Sequence, residues 1–85
     1  MGISKMIEAL DIIYECDSLS ITEDDKKLCI FILGCIINEL CLTTTEITAQ
    51  YAVVKVSTWN NSYFCMATKK LCNQLYSVLK MFQNI

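Results

Sequence analysis

The chain has 85 residues, 54% hydrophobic and 19% charged, with a formal net charge of −2. That balance excludes a disordered segment and suits one small domain, residues 1–85, while the absence of proline and the presence of only two glycines exclude a many-turned sandwich or barrel. Neither histidine nor arginine occurs, so the commonest general base and the best bidentate phosphate clamp are missing, and no catalytic residue, metal site, cofactor or small-molecule substrate is expected.

Met6, Ile7, Leu10, Ile13 and Tyr14 recur at helical spacing, with Lys5, Glu8, Asp11 and Glu15 mostly on the other side, which predicts an amphipathic helix over about Ser4 to Cys16. Asp17-Ser18-Leu19-Ser20 is a polar break. Thr22 followed by Glu23-Asp24-Asp25 reads as an N-cap with three carboxylates placed well against the helix dipole, so a second helix starts there. The acidic cluster is explained by that dipole and needs no metal or acid/base role.

From Leu28 to Leu42 the second helix is apolar nearly all round, which predicts that it is the central element of a small all-α, four-helix domain. Thr43 and Glu46 stand at capping-box spacing and open a short third helix carrying Ile47 and Tyr51 on one face, ending near Ala52. In the last segment Trp59, Tyr63, Met66, Ala67, Leu75, Val78, Leu79 and Phe82 fall mostly three or four apart, consistent with one long amphipathic helix from about Ser57 to Phe82. A rival reading pairs residues 52–59 with 62–67 as a hairpin, because Val53, Val54 and Val56 favour strands and Asn60-Asn61 suits a tight turn.

The longest apolar run, Leu28 to Ile37, is far shorter than the roughly 20 residues that span a bilayer. The N-terminal segment lacks a basic start and a small-residue cleavage site, so a cytoplasmic protein without membrane contact is expected. Cys16, Cys29, Cys35, Cys41, Cys65 and Cys72 contain no C-x-x-C, and three lie in or beside the apolar run, where a thiol behaves as a small hydrophobe. Reduced core cysteines are expected; the even count keeps a disulfide framework open as the alternative.

Charge divides along the chain. Residues 1–42 hold three lysines against eight acids, and residues 43–85 hold Lys55, Lys69, Lys70 and Lys80 against Glu46 alone. Within the basic half, the run from Leu42 to Val53, followed by Val54-Lys55-Val56-Ser57-Thr58, resembles a helix-turn-helix over about residues 42–66. It looks like the corresponding segment of bacterial transcription activators and of cyclin-like repeats in general transcription factors. Ile47 and Tyr51 match the family's buried apolar positions, and Val53 its small aliphatic after the turn. Ala52 stands where glycine is usual, and a turn one residue longer than the family's brings Trp59 and Tyr63 inward.

The resemblance implies a small transcriptional regulator that binds double-stranded DNA. Ser57, Thr58, Asn60 and Asn61 then begin the recognition helix, with asparagine suited to adenine, while Lys55, Lys69 and Lys70 contact phosphates. Read without the resemblance, Ser57 or Thr58 caps a helix, Asn60 and Asn61 form a turn, and Lys69-Lys70 is a solvated face. The alternative function is a non-enzymatic protein-interaction module, an inhibitor, co-regulator or chaperone. Its support is a surplus of large apolar residues, among them Ile3, Leu19, Phe64, Tyr76, Met81 and Ile85, that a chain of this size can hardly bury in full. A homodimer would satisfy the same surplus.

Overall fold

A computed structural model of the chain describes residues 1–83. Its elements are α1 (Ile3–Tyr14), α2 (Glu23–Glu39), α3 (Thr45–Val56), a 3-10 turn (Ser57–Trp59) and α4 (Asn61–Gln83), and no strand occurs among the described residues. The fold is all-α. The rival hairpin is overturned: residues 52–56 finish α3, and residues 62–67 lie within α4.

Local chemistry sets the helix ends. In the break after α1, Asp17 accepts hydrogen bonds from the Leu19 backbone N–H at 3.0 Å and from the Ser20 hydroxyl at 3.1 Å, a local turn that competes with helix. Thr22 caps α2 as its sequence suggests. The Asp25 N–H donates to Thr22 Oγ1 at 3.1 Å and the Thr22 N–H donates back to Asp25 Oδ2 at 3.0 Å, a reciprocal capping box.

The other end of α2 carries no sequence signal. Cys41 adopts φ 54°, in the left-handed region, the Cys41 N–H donates to the Asn38 carbonyl at 3.1 Å, and the Leu42 N–H donates to that of Ile37 at 3.0 Å. This is a Schellman closure with cysteine in the place that glycine normally takes. The next cap is displaced by one residue from expectation: Thr44, not Thr43, accepts from the Ile47 N–H, at 3.4 Å. Helix α3 then runs on to Val56, past the expected end at Ala52, because fully buried Val54 rewards helix more than β-branched propensity penalises it.

The centre of the fold is α4, and the expectation that α2 holds that place is corrected. Helix α4 buries Phe64, Cys65, Ala67, Thr68, Leu71, Cys72, Leu75 and Leu79, whereas α2 buries only Lys26, Leu33 and Ile36. Helices α1 and α3 both pack along α4, the first through Met6, Leu10 and Ile13 and the second through Ile47 and Val54. Each large side chain taken out of water here stabilises by about 1.5–3 kcal/mol. Phe31, expected in the core, is 58% exposed, while Ile36 is fully buried.

The inward face of α4 is also rotated from the expected one. Ala67, Leu75 and Leu79 are buried as expected, but Tyr63 and Met66 are exposed, and Phe64, Leu71 and Cys72 lie inside instead. Tyr63 and Met66 lie outside the one stripe of α4 that its neighbours cover. Trp59, expected inward, is 77% exposed and stacks on Tyr63 with ring centroids 6.3 Å apart. One close approach marks where α3 meets α2: a side chain at Gly34 would collide with the Tyr51 hydroxyl, which donates to the Ile30 carbonyl at 3.1 Å.

The cysteines divide. Cys16 and Cys65 form a disulfide across 49 residues, joining the segment after α1 to α4, which overturns the expectation that all six are reduced. Cys29 and Cys35 are half-buried free thiols, Cys41 is exposed and Cys72 is buried. The two cysteines that pair lie outside the apolar run of α2, and helix packing alone brings them together. Burial raises Cys29 and pushes Cys72 up to about 12, so both stay neutral thiols.

Candidate partner-binding surface

The side chains proposed from sequence to read nucleic acid have divided fates. Ser57 is fully buried, and its hydroxyl donates to the Val54 carbonyl at 2.9 Å, closing α3. Asn61 Oδ1 accepts from Lys26 Nζ at 2.6 Å, and its amide donates to the carbonyls of Ser18 and Ile21, both at 3.3 Å. Lys69 Nζ donates to the Cys16 carbonyl at 2.7 Å and lies 5.9 Å from the centre of the Tyr14 ring. These three side chains therefore hold the fold together.

Thr58 is half-buried, and its carbonyl accepts from Lys26 Nζ at 2.7 Å. Asn60 is exposed, with Oδ1 accepting from the Tyr63 N–H at 2.9 Å, so it caps α4. Lys55 and Lys70 are exposed, the former 4.6 Å over the Tyr51 ring one helical turn before it. Seven residues that sequence groups as one site thus separate into internal struts, caps and two outward lysines.

Lys26 is the polar residue that sequence reasoning missed. Grouped with Lys27 as a charge count, it is instead 3% exposed, bonded to Asn61 and the Thr58 carbonyl and 2.8 Å from Glu23 Oε1. That hydrogen bond and charge hold Glu23 below the usual carboxylate range. A faint signal existed: Glu23 and Lys26 stand at i, i+3.

The expected apolar surplus is partly confirmed in place. Phe64 is buried and Ile3 and Tyr76 are half-buried, whereas Leu19 and Met81 are strongly exposed; Ile85 lies outside the described residues. The more telling surface lies where α1 and α2 diverge. A groove of about 260 Å³ opens there, floored by Ile13, Ile21, Cys29 and Ile32 and flanked by Ile12 and Leu28, which are 76% and 58% exposed. Its remaining walls include Glu15, Asp17 and Asp25, and no lysine lines it.

Two of these acids are held in place by local hydrogen bonds. Hydrogen bonds from Thr22 hold Asp25 below its usual range, and Asp17 accepts from Leu19 and Ser20. Both are already fixed in orientation, which makes the rim a standing negative field beside an apolar floor. No group of three or more Cys, Asp or Glu among the described residues is arranged to hold a metal ion. No helix among them is long and apolar enough to cross a membrane. No protein-family model, curated protein or solved structure matches this chain.

Proposed function

We propose that the protein is a non-enzymatic protein-interaction module that binds a partner through an exposed apolar helical face. The observation that carries this reading is the groove between α1 and α2, where Ile12 and Leu28 stand in water beside an apolar floor. Apolar side chains scattered singly need no explanation, but several around one concavity are what peptide-binding grooves present. At about 260 Å³ the groove suits two or three anchor side chains rather than a whole cofactor.

The test is selection from a displayed library of random peptides on the full chain. Enriched ligands should lose binding to Ile12→Asp and Leu28→Asp, two changes at exposed positions, and keep it with Lys70→Glu. Failure to enrich any ligand, or ligands indifferent to both groove changes, would remove the reading.

Transcriptional regulation through double-stranded DNA is the second reading. It is favoured by one observation: between Ile47 and Gln83 there is no carboxylate side chain, and Lys55 and Lys70 both point outward. The turn of such a helix-turn-helix would be Ser57–Trp59, with Asn60 and α4 following it. Binding would then be phosphate-led, since Ser57, Asn61 and Lys69 are already engaged. A mobility shift on duplex DNA at about 50 mM salt that Lys70→Glu abolishes would support it, and no shift at that salt would remove it.

A further inference from the structure

We infer that the groove between α1 and α2 receives a basic amphipathic helical segment of a partner protein, an assignment that rests on the protein-interaction reading above. Three features of the groove select that occupant. Its floor and flanks are aliphatic, so the partner must supply aliphatic or aromatic anchors. Its polar wall contains Glu15, Asp17 and Asp25 without a lysine, so an acidic ligand would be repelled and a basic one drawn in. Of the two lysines in the first half of α2, Lys26 is turned inward onto Asn61 and Thr58, and neither it nor Lys27 lines the groove.

Helical rather than extended geometry follows from the walls. No strand occurs among the described residues, so no sheet edge is available for an extended peptide to join. The lining residues of α2 run from Asp25 to Ile32, two helical turns or about 10 Å, which is the distance between positions i and i+7 of a helix laid alongside. Anchors at i, i+3 or i+4, and i+7 would meet the floor, and lysines or arginines flanking them would meet the carboxylates.

The groove wall is also well fixed. Cys16, which lines it, is tied to α4 by the bond to Cys65, and its carbonyl is held by Lys69; the Ile21 carbonyl is held by Asn61. A preformed site loses less freedom on binding than one that must be ordered.

Two synthetic peptides of about 18 residues with the same leucine stripe test the assignment, one with lysines on its polar face and the other with glutamates. The lysine peptide should bind the full chain at least about tenfold more tightly, and its affinity should fall as salt rises. Ile12→Asp is the decisive variant. It adds negative charge and would strengthen a merely electrostatic attraction, whereas docking of anchors on Ile12 should weaken about tenfold or more. Glu15→Lys, at the exposed C-cap of α1 where a cation suits the helix dipole, should keep the fold and weaken the lysine peptide by about fivefold.

Tighter binding to Ile12→Asp, or equal binding of the two peptides, overturns the basic-helix assignment while leaving the interaction module standing. If neither peptide binds but library selection yields groove-dependent ligands, the assignment also falls alone. If selection yields nothing either, both readings fall together.

Discussion

Lys26 Nζ lies 2.6 Å from Asn61 Oδ1, so a nearly buried lysine of α2 is held by the first residue of α4. The same asparagine donates to the Ser18 and Ile21 carbonyls, joining the segment between α1 and α2 to the start of the central helix. Asn61→Ala leaves a charged donor and two carbonyls short of partners and should cost about 2–3 kcal/mol in urea denaturation. Lys26→Met should cost about 1–3 kcal/mol, and the double variant less than the sum, because each change already removes their shared bond. Strict additivity would show that the two residues do not act together.

The end of α2 is strained where Cys41 takes φ 54°. Its side chain is exposed, so nothing is lost from the core when it is removed. Cys41→Gly should therefore raise stability by about 1 kcal/mol, the reverse of what glycine does inside a helix. A lower melting temperature would mean that the left-handed conformation is not adopted.

Orientation of α2 is tested by two truncations that hydropathy cannot tell apart. Ile36→Ala empties a fully buried site and should cost about 2–5 kcal/mol. Phe31→Ala removes a ring that is largely in water and should stay within about 0.5 kcal/mol. Equal losses would place Phe31 in the core after all.

The bond between Cys16 and Cys65 closes a loop spanning 49 residues. Cross-linking a loop of that length restricts the unfolded chain, and Cys16→Ala with Cys65→Ala should cost about 2–4 kcal/mol. Intact mass before and after reduction should differ by one bridge, and under non-reducing conditions an alkylating reagent should modify exposed Cys41 far faster than Cys72, whose thiol burial keeps neutral. A chain with all six cysteines alkylated without reductant would refute the bridge.

Acid should loosen the cap of α2. Asp25 is depressed in the folded state from its ordinary value of 3.8 by its hydrogen bonds to Thr22, so unfolding takes up a proton in acid. Its contribution is present in full above 3.8 and is lost as pH falls through the lower folded value. Thr22→Ala should cost about 0.5–2 kcal/mol near neutrality and flatten the fall in stability on the acid side. An unchanged acid slope would show that the cap does not set it.

What the sequence determined by itself is local. The absence of proline, the spacing of Met6, Leu10 and Ile13, and the Thr22 cap with its acids are each legible because neighbours a few residues apart decide them. Helix type and the start of α2 follow from such short-range terms, whereas the end of α3 was decided by the burial of Val54. The apolar groove was not legible: Ile3, Leu19, Phe64, Tyr76 and Met81, the large side chains that the sequence marks as surplus, do not line it.

Tertiary structure decided which apolar face is inside. From Leu28 to Ile37 helix α2 is apolar nearly all round, and α4 carries Tyr63 and Met66 beside its main stripe, so apolar pattern alone does not choose which of these residues turn inward. The choice is made by what packs against them. Buried Phe64, Leu71 and Leu75 draw α4 to the centre between α1 and α3, leaving Phe31, Trp59 and Met66 in water. Pairings across long separations, Lys26 with Asn61 and Cys16 with Cys65, depend on that packing, because neither residue type nor spacing along a chain encodes which distant groups a helix rotation will bring within a bond's length.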